Sequence, residues 1–274
     1  LGLPADSSWR EVVKVANPLS EEQSVMRTIL LPGMLDTVSR NLARKNSNLT
    51  FFEMGSVFYP RDSVLPEERL KLSAVAAGKL DLNWLKNNVE MDFYYLKGIL
   101  ENFLMQLGIE NTSFTAEVHP GYHPGRTAVI SCQGLELGVI GEIHPRVRQN
   151  FSIKPRICAF ELDVASLFEL SNRRIMMDSI AKYPAVERDL AILLREDIPA
   201  AEVLDVIKAA GTEILQNIIL FDIYSGDQVA GGFKSMAFRL TFQSKERTLT
   251  EADVSMAMEG IMAALEQKLQ ASLR

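Results

Sequence analysis

The sequence predicts an α+β chain of two units, each an antiparallel sheet with helices packed on it. Three observations carry this reading. Between residues 112 and 163 four short β-rich runs are separated by His-Pro-Gly, Gln-Gly and His-Pro turns, the pattern of consecutive antiparallel strands. Beyond residue 181 the order is strand, helix, strand, strand, helix and a short last strand, which matches a split βαβ or ferredoxin-like unit. The length of 274 residues is about twice a common domain size, and a polar Ser171-Asn172-Arg173-Arg174 group marks the junction.

Taken in order, Ser20-Glu21-Glu22-Gln23 has the capping-box form and predicts a helix start, interrupted at Pro32-Gly33. Pro32 suits the first turn of a new helix over 33–45, where Met34, Leu35, Val38 and Leu42 make one apolar stripe. That stripe is richer than a short helix needs, so this helix and the following strand are expected to form an assembly surface as well as core. Residues 49–59, rich in Phe, Val and Tyr, read as a strand stopped by Pro60, and 69–80 as another. A helical period over 92–107 ends at Gly108. Strands follow at 112–118, 127–132, 136–143 and 156–163. In the second unit the elements are strand 188–195, helix 199–210, strands 214–225 and 233–243, helix 250–269 and a weak strand at 271–274. Helix 250–269 opens on Thr250-Glu251-Ala252-Asp253, a second capping box.

Composition excludes several classes. With 47% hydrophobic and 23% charged residues the chain is globular rather than disordered. There is no apolar run of about 18 residues and no signal-peptide layout, so a cytoplasmic protein without a membrane partner is expected. The chain starts at Leu1, which suggests a piece of something longer. Cys132 and Cys158 stand far apart and read as buried thiols, not as a disulfide framework or zinc knuckle. His119-Pro-Gly-Tyr-His123 is broken by prolines 120 and 124, which forbid the helix a His-Glu-x-x-His site needs, so a turn is preferred to a metal site. Gly226–Ser235 lacks the Gly-Lys-Ser core of a phosphate loop and reads as a hairpin turn. No Gly-x-Ser-x-Gly elbow supports hydrolase chemistry. The net charge is −6, and residues 181–274 carry ten Lys and Arg against fourteen Asp and Glu, so any nucleic-acid binding needs a local patch. Gly232–Arg247, with Lys234, Arg239, Lys245 and Arg247 against Glu246, is the one basic stretch there.

Several strings, in order along the chain, resemble the C-terminal portion of the bacterial phenylalanyl-tRNA synthetase beta chain. They are Asn17-Pro18-Leu19-Ser20-Glu21-Glu22, Met26-Arg27-Thr28 with Leu30-Leu31-Pro32-Gly33, Phe52-Glu53-Met54-Gly55 with Val57-Phe58, Lys97-Gly98, His123-Pro124-Gly125-Arg126 and Gly141-Glu142-Ile143-His144-Pro145. In the second unit they are Tyr183-Pro184-Ala185-Val186-Glu187-Arg188-Asp189-Leu190, Phe221-Asp222-Ile223-Tyr224-Ser225-Gly226, Lys234-Ser235 and Glu246-Arg247-Thr248-Leu249-Thr250. The resemblance implies a catalytic-like module at 1–170 on the antiparallel sheet of class II aminoacyl-tRNA synthetases, a linker at 171–180 and a ferredoxin-fold anticodon-binding domain at 181–274.

It further implies a parent complex that joins phenylalanine to tRNA(Phe) using ATP and Mg²⁺, an α2β2 heterotetramer whose alpha subunit carries the aminoacylation site. An active class II site needs a motif 2 arginine on the phosphates. The corresponding strand here, Phe51 to Phe58, contains none, and Arg27 and Arg61 are near only in sequence. No catalytic residue, metal or cofactor is therefore expected on this chain. The resemblance places Ala191, Asp222, Tyr224 and Ser235 on the tRNA-facing side, and Arg188 and Lys234 are expected to join them in anticodon binding. Strand alternation puts Asp222 and Tyr224 on one face and turns Phe221 and Ile223 toward the helices. Two other readings were weighed. An independently active class II ligase is opposed by the missing arginine, and a ferredoxin-like regulator of small ligands by the aromatic and basic residues at 224–247.

Overall fold

In this computed structural model residues 1–274 are described except 22–23, 64, 82–87, 173–176, 178–180 and 227–228. Two units divide the chain, Leu1–Ile175 and Met176–Arg274. The first contains α1 (Leu31–Ala43), β1 (Leu49–Tyr59), β2 (Glu67–Ala77), β3 (Lys79–Asp81), β4 (Asn88–Glu90), α2 (Phe93–Gln106), β5 (Thr112–Ala116), β6 (Tyr122–Cys132), β7 (Leu135–Ile143), α3 (Pro145–Asn150), β8 (Ile157–Asp163) and α4 (Val164–Leu170).

Six of these strands form one antiparallel sheet in the order β1-β2-β8-β7-β6-β5. Both faces are covered. Along β8, Ile157 and Ala159 pack with Leu31, Met34, Leu35 and Val38 of α1 and Val147 of α3. The alternate residues Cys158, Phe160 and Leu162 pack with Leu96, Leu100 and Leu104 of α2 and Leu167 of α4. The period of two is thus spent on two cores. Both cysteines are free and buried, and burial pushes the Cys158 thiol up to about 12, which leaves it inert.

Four expectations change. The capping box at 20–23 falls partly outside the described residues, and from Ser24 onward the chain is extended, not helical. Val15 N–H donates to Ser24 O at 2.9 Å, Met26 N–H to Val13 O at 2.8 Å, and Val25 forms a bridge with Lys14. The β-branched valines at 13, 15 and 25 favour that pairing over a helical turn. The second change concerns α3 and α4, too short for a hydrophobic period and read from sequence as turn and junction. Each is fixed by its cap: His144 Nδ1 accepts from Arg146 N, and Asp163 Oδ1 from Ala165 N and Ser166 N. Third, the stripe of α1 is core, since Met34, Leu35 and Val38 are at most 1% exposed. The exposed apolar surface lies on edge strand β1, at Phe52 and Met54. Fourth, the expected linker at 171–180 falls largely outside the described residues.

The second unit contains β9 (Val186–Arg195), α5 (Ala200–Ala210), β10 (Leu215–Tyr224), β11 (Phe233–Phe242), α6 (Glu251–Leu269) and β12 (Ser272–Leu273). Its antiparallel sheet has the order β10-β11-β9-β12, the split βαβ arrangement. Leu190, Ile192 and Leu194 of β9 and Met236, Phe238, Leu240 and Phe242 of β11 face Val203 and Ile207 of α5 and Val254, Ile261 and Leu265 of α6. Among the described residues, no helix of this unit packs on the other sheet face. At the start of α6 the capping box closes both ways: Thr250 N donates to Asp253 Oδ2 at 2.8 Å and Asp253 N to Thr250 Oγ1 at 3.3 Å. At its end Gln270 takes φ 54°, which turns the chain back so that Ser272 pairs with Leu193.

Gly138 on β7 tests the packing of the first sheet. Its φ is +150°, and a Cβ there would lie 2.0 Å from the carbonyl oxygen of Glu161 on β8. Gly138→Ala should destabilise the first unit by roughly 1–3 kcal/mol or more, the usual cost of overpacking compounded by an unfavourable backbone. Urea unfolding of the two proteins, followed by circular dichroism, checks this.

Candidate nucleic-acid interface

The open face of the second sheet brings together most of the residues singled out from sequence. Ala191 pairs with Ala237, which pairs with Asp222 across β9, β11 and β10. One step along, Leu193 pairs with Ser235, which pairs with Tyr224. All of these lie on the face opposite Leu190, Ile192, Met236 and Phe238, because directly opposed residues of an antiparallel sheet share a face. Asp222 is exposed and Tyr224 half-buried, and across the strands from Asp222 the two alanines form a shallow floor. Gly226 lets the Tyr224 ring lie flat along the chain: a Cβ at 226 would be 2.7 Å from the phenol oxygen.

Ser235 sits on this face but is only 3% exposed. Arg274, whose N–H bonds to Ala191 O at 3.1 Å, lays its guanidinium 5.4 Å from the centre of the Tyr224 ring and reaches Ser235 Oγ at 3.4 Å. Sequence reasoning missed Arg274, since only the pairing of β12 with β9 brings it here. Arg188 and Lys234 are not brought to this face. They pair with Leu240 and Leu194, residues of the helix-facing side. Arg188 bonds both oxygens of Glu251 at the start of α6, and Lys234 Nζ donates to Glu196 O at 2.8 Å.

Phe221 does not turn toward the helices as expected, whereas Ile223, opposite Met236, does lie on that side of the sheet; each is 52% exposed. The register slips between Leu220 and Asp222, so one residue is left without a partner and the alternation shifts. Phe221 therefore lies under Arg239, whose guanidinium is 5.5 Å from its ring centre. The basic stretch at 232–247 is largely neutralised. Arg239 is held bidentately by Asp189 at 2.9 and 3.1 Å, and Arg247 by Asp253 at 2.6 and 2.8 Å. These contacts hold the carboxyls of Asp189 and Asp253 below the ordinary range.

The first unit carries a polar layer on the α1 side of its sheet. Arg27, expected to be near the strand at 51–58 in sequence only, lies on that strand in space. Its Nε donates to Ser56 O at 2.9 Å and its Nη1 to Glu53 Oε1 at 2.5 Å, over Gly55, where a Cβ would be 2.3 Å from Nη2. Lys71 Nζ lies 3.1 Å from Asp163 Oδ2. Glu161, opposite Ser73 and Val139 in the sheet, accepts on Oε2 from Leu30 N and Leu31 N at 3.0 and 3.2 Å. Burial raises the Glu161 carboxyl above its ordinary value, against the two backbone bonds and Lys71. A triphosphate with Mg²⁺ does not fit this surface. The arginine and the lysine are each matched to a carboxylate, and the buried Glu161 carboxyl occupies the surface where phosphates would lie.

Two family sequence models match the chain: "Phenylalanyl tRNA synthetase beta chain CLM domain" over residues 1–164 and "Ferredoxin-fold anticodon binding domain" over 181–274. Among curated relatives, the phenylalanine–tRNA ligase beta subunit of Moorella thermoacetica is 45% identical over 275 residues, covering 100% of this chain and 34% of its own length. That of Carboxydothermus hydrogenoformans is 41% identical with the same coverage. The chain thus spans about a third of the length of these relatives. Among solved structures, a pyrrolysyl-tRNA synthetase from Desulfitobacterium hafniense superposes with a TM-score of 0.45 at 15% identity, over 59% of this chain and 53% of that one.

The raised Glu161 carboxyl has a sign that can be measured. Between the ordinary carboxylate value and the folded one, the native state holds a proton that the unfolded chain has lost. Stability is therefore favoured below that window and falls as pH rises through it. Glu161→Gln keeps an oxygen for Leu30 and Leu31 but cannot titrate. Its unfolding free energy relative to wild type should rise with pH across the window and level off above it, in denaturant titrations from pH 4 to 8.

Proposed function

Because the chain belongs to the phenylalanyl-tRNA synthetase beta chain family, we propose that its second unit binds the anticodon of tRNA(Phe) and that its first unit is a non-catalytic scaffold for an alpha subunit. The observation that carries the reading is the open face of the second sheet. It presents Tyr224 and Asp222 beside a floor of Ala191 and Ala237, in a unit matched over residues 181–274 by the anticodon-binding model. A tyrosine on such a face offers a stacking platform for an unpaired base, and a carboxylate beside it accepts from base amino groups. Arg188 and Lys234, engaged on the other side, contribute by fixing α6 and the strand end rather than by touching RNA.

In the first unit, Phe52 and Met54, exposed on an edge strand, support contact with a second chain. The parent complex, an α2β2 assembly in the cytoplasm, would use ATP and Mg²⁺ on the alpha subunit to join phenylalanine to tRNA(Phe). The arginine matched to Glu53 supports the absence of that chemistry here.

Two experiments test this. Tyr224→Ala in the whole protein should cost roughly 1–3 kcal/mol of tRNA(Phe) affinity, the usual worth of a stacked base, while leaving the melting temperature nearly unchanged because the face carries no core. Equal affinity, or a collapse in melting, would remove Tyr224 from the interface. The chain alone should give no phenylalanine-dependent exchange of pyrophosphate into ATP, and exchange that Arg27→Ala abolishes would overturn the scaffold reading.

A further inference from the structure

Strand β10 carries two aromatic rings on the open face of the second unit. Leu220 pairs with Phe238 on the helix side, so Phe221 turns to the open side. The extra residue at the register slip then keeps Asp222, opposite Ala237, on that side too, and Tyr224 follows two residues on. The strand therefore presents a ring, a carboxylate and a second ring in sequence on one face.

Each ring is backed by a guanidinium. That of Arg239 lies 5.5 Å from the Phe221 ring centre, as that of Arg274 lies 5.4 Å from the Tyr224 ring centre. Arg239 is fixed in place, held by Asp189 at 2.9 and 3.1 Å with Glu187 Oε2 3.9 Å from its Nε. A guanidinium so held covers one side of the Phe221 ring, while the residue stays 52% exposed. Apolar area left in water is recovered when a second flat group covers it, at about 25 cal/mol per Å². A ring already fixed loses little freedom when that happens.

The surroundings of Phe221 select what covers it. Asp222 is exposed beside it, and Asp189 and Glu187 stand half-exposed behind Arg239. An apolar side chain from a protein partner would take these carboxylates out of water without bonding them. A nucleobase offers a flat face to the ring and amino groups to Asp222. At about 3.3 Å per residue the backbone positions of Phe221 and Tyr224 are roughly 10 Å apart, and an open four-stranded sheet can seat two or three unpaired bases on its aromatics.

We propose that Phe221 is a second base-stacking residue of this face, so that β10 seats two unpaired bases of one RNA strand, one on each ring, with Asp222 between them. The inference rests on the anticodon reading above and adds a second base to it. Because every base has a flat π-face, Phe221 contributes affinity without choosing a sequence, and selection is left to Asp222.

The test uses the whole protein with tRNA(Phe) carrying 2-aminopurine at each anticodon position in turn, since stacking on a ring quenches its emission. Two positions should be quenched on binding at saturating protein, with Phe221→Ala restoring emission at one and Tyr224→Ala at the other. Phe221→Ala and Phe221→Leu should each weaken binding roughly fivefold to a hundredfold, the worth of one stacked base. The factor should be the same for a tRNA with an altered anticodon, and Phe221→Tyr should keep wild-type affinity, because leucine retains bulk but no π-face. Melting curves confirm that each variant is folded, and should Phe221→Ala melt early, Phe221→Leu and the wild-type quenching pattern decide. Binding weakened by Tyr224→Ala but unmoved by Phe221→Leu, or quenching at one position only, would overturn the second stacking position and leave the anticodon reading standing. Affinity unmoved by either substitution would overturn both.

Discussion

The first unit depends on one carboxylate placed in the middle of a sheet. Leu30, at the N-cap of α1, has no side chain able to bond the free N–H groups there. Those of Leu30 and Leu31 are met instead by Glu161, 130 residues or more away in sequence. A helix start without a local cap is thereby tied to the centre of β8, and the apolar stripe of α1 is delivered onto Val75, Val139 and Ala159. The segment that leads into α1 lies beside that anchor. Thr28 then reaches Trp9, Tyr59 reaches Thr28 O, and Arg27 reaches Glu53 and Ser56. The cost is a buried carboxyl whose ionisation is resisted, which two backbone bonds and the nearby Lys71 only partly offset.

The second unit solves a different problem, since only one of its sheet faces is given to core. Here the burden falls on strand alternation, and the place where alternation fails is informative. The slip between Leu220 and Asp222 leaves Leu220 facing the helices and still brings Asp222 and Tyr224 to the open side, with Phe221 displaced onto Arg239. A regular strand would put Leu220, Asp222 and Tyr224 all on one face. The bulge is therefore what allows a core residue and two residues of the open face to follow one another at a spacing of two.

Much of this was legible from sequence because it rests on local rules. The helix at 93–106, the second capping box and the strand order of the ferredoxin-like unit follow from period, cap and turn residues. What was not legible depends on long-range pairing. Arg27 comes to lie on β1, and Arg274 beside Tyr224, through backbone contacts that no spacing encodes. The faces of Phe221, Arg188 and Lys234 depend on register, and a single slip reverses a parity argument. The short helices after His144 and Asp163 were missed because six and seven residues do not complete a readable period, although each cap residue was in plain view. The α1 stripe was misjudged for the opposite reason: a strong local pattern does not say which apolar surface will cover it.

Electrostatics sets the character of the proposed interface. The second unit is acidic, and among the described residues Arg188, Arg195, Arg239 and Arg247 are each bonded to a carboxylate of the same unit. Cations already matched in this way release few counterions when a phosphate approaches, because the phosphate must first compete with a bidentate carboxylate. The field of the unit therefore does little to draw RNA in. For the proposed anticodon interface this leaves discrimination to shape and short-range contacts, a ring to stack upon and a carboxylate that accepts from an exposed amino group.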